Sequence, residues 1–551
     1  MRTSTPERIA AMRRAGLWGR ETLHGLLAAN AAATPQREAV VDAGNKRELT
    51  GLPALRLSMA ELDRASSACA RELATRGVQA GDRVILQLPN TSELIVLYYA
   101  LSKLGAIISP IAVQYAAHEL RLFGAALAPR ALITVESLRG APLAGQARGA
   151  LPDIPVWTVG DDLDVNAGAA QGQAAGDWAD DADATLTIAW TSGTTGTPKG
   201  VPRSHNMWTA QGRLTSHAVQ FREGERLLSP FPMINMAALG GFLFPSALCN
   251  CTLVLHHPLD IPLYLQQLQE ENIHFTLAPP PLLNRLAKQP DMWRQFDFSA
   301  LRVVGSGSVP LSSEMIRVFE EDFHKPVLNF YGSNEGIGLT STPENSPLPE
   351  HRALLFPRLG TPDTAFSNWA EGALYTRVID PDTEREISEP GVAGELCVTG
   401  PGVFDGYWQH DGSGVFTADG WFRSGDLVEI APEQPTHYRI VGRCKDIINR
   451  GGQKLSPSEL DALLEGVPGL AEAAVCAVAD DDLGERVCAC VVLLEGHPAP
   501  SLESLREHLA AQGVARFKLP ERLELFDALP RNPLGKVLRN ALREAVEARA
   551  A

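Results

Sequence analysis

The chain has 551 residues, 45% hydrophobic and 21% charged. This is too long for a single hydrophobic core and predicts roughly three or four domain-sized units. Asp and Glu total 65 against 49 Lys and Arg, for a formal charge of −16. That balance excludes a general affinity for nucleic acid or anionic membrane, while leaving room for a local basic pocket.

The segment Met1–Arg8 lacks the apolar core of a signal peptide. Residues 57–76 then predict a helix, with Leu62, Ala65, Cys69, Leu73 and Ala74 on one stripe. Arg83–Pro89 predicts a buried strand, followed by a helical segment through Leu104 and an apolar run, Ala106–Val113. Residues 159–184, rich in Gly, Ala, Asp and Gln, predict a surface loop. Leu239–Leu255 is the most apolar run, but Pro245 and Asn250 interrupt it. Stable membrane insertion is therefore not expected, and a cytoplasmic location is. Leu253–Leu255, helix 262–272, Phe275–Ala278 and helix 311–324 continue an alternation that implies α/β layers with largely parallel sheets. Near residue 440 the composition shifts to the polar Gly442-Arg443-Cys444-Lys445-Asp446. A self-contained pattern follows: helix 457–465, strands near 472–478 and 486–494, helix 501–512 and a terminal helix 534–549. The predicted class is thus α/β, with a large N-terminal domain (1–442) of layered α/β subdomains. A small, mobile α+β C-terminal domain (443–551) follows, able to close over a site. Eight cysteines are scattered along the chain. The two C-x-C pairs, Cys249/Cys251 and Cys488/Cys490, fall in β-prone runs where alternate residues share a strand face. Without partner pairs at metal spacing they are read as buried thiols rather than zinc ligands.

Chemistry concentrates in Thr191-Ser192-Gly193-Thr194-Thr195-Gly196-Thr197-Pro198-Lys199-Gly200, directly after the apolar stretch Thr185–Trp190. Glycines let backbone N–H groups approach an anion, and hydroxyls and a lysine add donors and charge, so the run suits a phosphate cradle. It is not the Walker pattern, because two residues rather than four separate Gly193 from Gly196.

Further along stand Asn329-Phe330-Tyr331-Gly332-Ser333-Asn334-Glu335, Ser424-Gly425-Asp426, Gly442-Arg443-Cys444-Lys445-Asp446 and Pro530-Arg531-Asn532-Pro533-Leu534-Gly535-Lys536. Taken in order with the glycine-rich run, they resemble the adenylate-forming superfamily of acyl-CoA synthetases, aryl acid-AMP ligases and peptide-synthetase adenylation domains. The resemblance covers almost the whole chain. Arg14–Trp18 and Gly442–Leu455 look closest to stand-alone aryl acid-AMP ligases and their CoA-ligase relatives. It implies that Thr191, Ser192, Gly193, Thr194, Thr195, Gly196 and Lys199 grip the ATP phosphates. It also implies that Ser306, Gly307, Ser308 and Asn329 through Asn334 line the nucleotide, with Tyr331 packing on adenine. Glu335 and Thr191 would hold Mg²⁺, Asp426 the ribose hydroxyls, and Arg443 the ribose. Asn334 stands where threonine is usual. Lys536 would bridge the carboxylate and α-phosphate during adenylation. The small domain would then swing about Lys445, within 443–446, and admit a thiol past Gly451 and Gly452.

The implied cofactors are ATP, Mg²⁺ and coenzyme A, and the implied form is a monomer or homodimer. Asn235, Met236, Ala237, Gly241 and Gly305 fall where this family lines its acid site. Aryl acid enzymes carry Asn and Tyr where this chain has Met236 and Ala237, so the expected substrate is a bulky, mostly apolar carboxylic acid. The acceptor would be coenzyme A; a carrier-protein thiol or a second enzyme is the alternative. A nucleotide- or acid-sensing protein without catalysis is a third reading, against which Glu335, Asp426, Arg443 and Lys536 all stand.

Overall fold

Strand 185–191 lies beside the edge strand 199–204 of a six-stranded sheet, and the pair sets the frame for the glycine-rich run. A computed structural model describes residues 1–549 except 192–197, 308–310, 362–373, 411, 445, 447, 451–452, 481–482, 513, 515 and 532–535. Ser192, Gly193, Thr194, Thr195, Gly196, Ser308, Lys445, Gly451 and Gly452, all expected site residues, therefore lie outside the described residues. The chain divides into two compact units. The first comprises Met1–Thr191, Pro198–Tyr375 and Val398–Val415; the second includes Thr376–Cys397 and Phe416–Ala551.

The first unit holds two sheets. One has strands in the order 156–159, 131–135, 83–87, 107–110, 185–191, 199–204, parallel up to the final antiparallel pair. The other has eight, in the order 338–341, 327–332, 303–307, 275–277, 226–229, 252–255, 38–41, 56–58, parallel inside and antiparallel at both edges. Parallel strands need crossovers, and helices such as Ser92–Leu104, Ala117–Leu127 and Ile261–Glu270 supply them. The helix Met59–Thr75 starts with a capping box in which the Ser58 hydroxyl and Glu61 carboxylate satisfy each other's backbone N–H. One core, including Leu62, Leu73, Ile95, Leu97, Phe242 and Phe275, is shared by both sheets. A second, around Trp293, Phe319 and Leu283, covers another face of the eight-stranded sheet.

In the second unit, strands Phe422–Ile430 and His437–Arg443 form an antiparallel pair that sets Asp426 directly opposite Arg443. A smaller sheet follows, with strands 453–455, 448–450, 484–493 and 470–480, and 522–525 paired alongside 484–493. Period-two alternation splits its side chains cleanly. Val475, Val487, Ala489 and Val491 enter one core, while Ala474, Cys476, Val478, Cys488 and Cys490 enter another with Leu529, Leu542 and Val546. The molecule is thus mixed α/β with the expected layers in both parts.

Most predicted elements are present within a few residues, and the exceptions have physical causes. Cys249 ends the helix Phe244–Leu248 and Cys251 precedes the strand Thr252–Leu255, so this pair does not share a strand face as expected. Asn250 between them takes a positive φ of 52°, which breaks an extended run. The terminal helix begins at Arg539 rather than 534. Val537 is instead bridged antiparallel to Arg531, so Lys536 precedes the helix. The 159–184 segment lacks regular structure beyond its first residue, but Leu163, Val165 and Ala182 are buried, so it is partly core. No helix among the described residues is long and apolar enough to cross a membrane.

Candidate active site

The glycine-rich run departs from strand 185–191 and returns along strand 199–204, with Thr191 opposite Lys199 and Trp190 opposite Gly200. Two antiparallel strands, rather than the strand and helix of a Walker loop, therefore flank the glycine-rich run. Its return strand ends at Ser204, whose hydroxyl caps the helix His205–Val219 by accepting the Met207 N–H at 3.2 Å. The Thr191 hydroxyl lies 3.5 Å from the Lys199 carbonyl. The Lys199 ammonium lies 4.7 Å from the Tyr407 ring centroid, a cation–π distance.

Tyr407 also donates its hydroxyl to Glu335 Oε1 at 2.9 Å. Glu335 is buried, and its carbonyl accepts the Phe404 N–H at 2.8 Å. Lys199, Tyr407 and Glu335 thus form one constellation. Asn334 ties this turn to the hairpin and to the acid segment. Its Nδ2 donates to the Trp190 carbonyl at 3.1 Å and its Oδ1 accepts the Met236 N–H at 2.8 Å. Asparagine in place of the usual threonine is therefore a two-sided strut. Tyr331 is half-buried, 5.5 Å from Phe356 between ring centroids, and the Ser333 hydroxyl is buried without a hydrogen-bond partner. Strand alternation turns two of the expected nucleotide contacts inward. Ser306 Oγ donates to the Ala278 carbonyl at 2.8 Å, and Asn329 Nδ2 donates to the Arg352 and Ala353 carbonyls at 3.0 and 2.9 Å. Gly307 pairs with Phe330 across the strands, so what Ser306, Gly307 and Asn329 present there is backbone.

Sequence reasoning missed Arg203. This fully buried side chain stacks 4.1 Å over the Trp208 ring and donates to the Gly402 and Met207 carbonyls at 2.7 and 3.1 Å. Its other Nη reaches the Met236 sulfur and the Asn334 carbonyl, both at 3.3 Å. Burial pulls Arg203 down to about 9 despite the opposing pull of Glu335. An arginine after a proline in a β-prone run reads as a solvated edge; only the distant Gly402 carbonyl and Trp208 ring reveal its place.

Asn235 Oδ1 caps the short helix Met236–Ala238 through the Ala238 N–H at 3.3 Å. A π-helical turn, Leu239–Leu243, follows; such turns are frequent at functional sites. In that turn Gly240 is crowded: a Cβ there would lie 2.7 Å from Gln211 Cγ and 3.0 Å from the Met236 sulfur. At Gly241 a Cβ would meet nothing within 4 Å. Ala237 is half-buried beside Met236. Gly305 is needed for close approach, since a Cβ would stand 2.7 Å from Leu277 and 2.8 Å from Phe330.

Within the second unit, Arg443 Nε donates to Asp426 Oδ1, which places the guanidinium and carboxylate of two predicted ribose contacts side by side. Gly425, at φ +72°, offers its N–H to Glu395 at 3.0 Å, and the Asp426 N–H is held by the Ser424 hydroxyl at 3.0 Å. Lys536 belongs to the same cluster. Burial chiefly lowers its pKa and the Arg443 charge adds to this, while Asp426 and Asp446 pull it back up.

A family model described as AMP-binding enzyme matches residues 27–408, and one described as AMP-binding enzyme C-terminal domain matches 459–536. The long-chain-fatty-acid–CoA ligase FadD13 of Mycobacterium tuberculosis is 30% identical over 508 residues, covering 90% of this chain and 94% of that protein. Pyochelin synthase PchD of Pseudomonas aeruginosa is 31% identical over 563 residues, covering 97% and 95%. Among solved structures, ATP-bound MatB from Rhodopseudomonas palustris superposes with a TM-score of 0.80 at 27% identity, covering 96% of this chain and 99% of that one.

Proposed function

Because the chain belongs to the AMP-binding enzyme family, whose members activate carboxylic acids as adenylates, we propose that it acts on a bulky, mostly apolar acid and passes the acyl group to coenzyme A. The observation that carries the choice of acid is the lip formed by Met236 and Gly241. Met236 is pinned by Arg203 and Asn334, and Gly241 leaves open space where a side chain would stand. No hydrogen-bonding side chain replaces the asparagine of aryl acid enzymes at Met236. A thioether lining accommodates an irregular apolar body, whereas a hydroxybenzoate would lose its polar partner.

In the proposed reaction the acid's carboxylate oxygen attacks the α-phosphorus of ATP. The bond to the bridging oxygen breaks, and pyrophosphate leaves with its electron pair. Lys536, held protonated near the α-phosphate, stabilises the charge that builds on phosphorus. Lys199 and the run from Thr191 to Gly196 hold the β- and γ-phosphates, Tyr331 flanks adenine, and Asp426 with Arg443 fixes the ribose. Thr191 and Glu335 suit Mg²⁺, since both present oxygen and Tyr407 orients the carboxylate. When bound, that ion neutralises phosphate charge. In the second half-reaction the coenzyme A thiol sulfur attacks the acyl carbonyl, AMP departs, and the thiol proton goes to solvent. Residues 443–551 are the proposed moving part, with the hinge at Lys445 and the thiol path past Gly451 and Gly452.

Mass spectrometry of products from a carboxylic-acid panel with MgATP, with and without coenzyme A, tests this reading. Acyl-CoA formed from an apolar polycyclic or alicyclic acid supports it. Turnover of salicylate alone overturns the substrate class. Acyl-adenylate that accumulates despite coenzyme A moves the acceptor to a carrier-protein thiol or a second enzyme.

A further inference from the structure

Three thiols from two neighbouring strands meet beneath the terminal helix. Cys476 lies directly opposite Cys488 on the antiparallel pair 470–480/484–493, and Cys490 follows two residues later on the same face. Cys490 Sγ is 3.8 Å from Cys476 Sγ and 4.0 Å from Cys488 Sγ, and all three sulfurs lie within 4.8 Å of one another. The centre of a triangle with edges near 4 Å is about 2.3 Å from each corner, the length of a metal–thiolate bond. We propose that Cys476, Cys488 and Cys490 form a three-sulfur site for a soft monovalent cation, Cu(I).

The donor set decides which ion. Thiolates select Cu(I) and Zn²⁺ over harder ions. Zn²⁺ in a structural site takes four ligands, and among the described residues no fourth His, Cys, Asp or Glu joins this group. The remaining walls are Ala474, Val478, Leu529, Leu542 and Val546, which exclude water as a fourth ligand. Trigonal sulfur coordination in a dry apolar site suits Cu(I). Each Cu–S bond forms as a thiol proton leaves to solvent, with no change in oxidation state. The negative charge of the thiolates faces cationic neighbours. Arg522 stands opposite Cys488 on the adjoining strand, and Arg539, on the covering helix, donates to the Val475 carbonyl beside Cys476. The spacing of the C-x-C pair alone does not disclose this site, because the third ligand comes from the partner strand.

The test uses the full chain, reduced and anaerobic, equilibrated with Cu(I) against a competing bathocuproine chelator. The expected result is a single Cu(I) retained per chain, and copper X-ray absorption showing three sulfurs at about 2.2–2.3 Å. Cys476→Ala and Cys490→Ala should each weaken retention about 100-fold, while Cys249→Ala and Cys444→Ala, which remove half-buried thiols elsewhere, leave it unchanged. Retention insensitive to Cys476→Ala and Cys490→Ala, or no copper held by the unaltered chain, overturns the proposal. If those variants do not fold, the absorption spectrum of the unaltered chain decides, since a two-coordinate or nitrogen/oxygen shell contradicts the site.

Discussion

Desolvation chiefly lowers the Lys536 pKa, Arg443 and Arg539 add to this and Asp426 and Asp446 oppose it, so its ammonium is harder to keep charged than an unperturbed lysine's. In the proposed adenylation role Lys536 must be charged, so activity is expected to fall as pH rises through its pKa. With that pKa depressed, the alkaline limb of kcat/KM for ATP, which reports the free enzyme, should lie below the ordinary lysine value of about 10.4. Lys536→Ala should remove this limb and slow acyl-adenylate formation roughly 10²–10³-fold, while thioester formation from supplied adenylate persists. Rapid-quench measurement of the two half-reactions checks this; equal loss of both contradicts separate roles. Gly241 gives a second residue-level prediction. Gly241→Trp, at a position where a Cβ meets nothing within 4 Å, should cut kcat/KM for bulky acids about 10–100-fold, with short acids less affected. Steady-state kinetics on acids of graded size reads the difference, and a uniform loss would contradict an acid-lining role. The ordered motifs named Thr191, Tyr331, Glu335, Asp426 and Lys536 as expected site residues through their resemblance to a known family. They did not disclose Arg203 or Tyr407, whose partners Gly402 and Glu335 come from distant parts of the chain.

At the scale of elements, two helix starts depend on uncharged histidines. His205, first residue of the helix His205–Val219, accepts the Leu23 N–H on Nδ1 at 3.1 Å, which requires that nitrogen to be unprotonated. His24, in the helix Leu23–Ala33, lies 6.4 Å away between ring centroids, with Nδ1 2.8 Å from the Ser102 hydroxyl. Burial holds His24 down to about 4 and His205 to about 3. Both folded values lie below the unfolded value near 6.5, so the unfolded chain binds more protons in this window. Stability is therefore full above pH 6.5 and declines as pH falls toward 4 and 3, with uptake of about two protons on unfolding. Denaturant titrations between pH 7 and 4 should show this slope, and His205→Asn should flatten it; an unchanged slope would contradict the assignment. The strands and helices were largely legible because parallel α/β layers leave apolar runs and amphipathic stripes. The phase of individual strands was not. Ser306 and Asn329 sit in motif positions, yet alternation spends their side chains on the Ala278, Arg352 and Ala353 carbonyls.

At the scale of the whole molecule, the proposed site residues are divided between the two compact units. The first holds Lys199, Tyr331, Glu335 and the proposed acid lip, and the second holds Asp426, Arg443 and Lys536. Such a division is what a two-step enzyme needs if one part changes its contribution between half-reactions. The class of acid is the central claim, and acid-dependent exchange of labelled pyrophosphate into ATP tests it most directly, since exchange needs only the first half-reaction. Exchange is expected with an apolar alicyclic or polycyclic acid, abolished by Lys536→Ala, and little with salicylate or 2,3-dihydroxybenzoate. Robust exchange with the hydroxybenzoates and none with any apolar acid would contradict it.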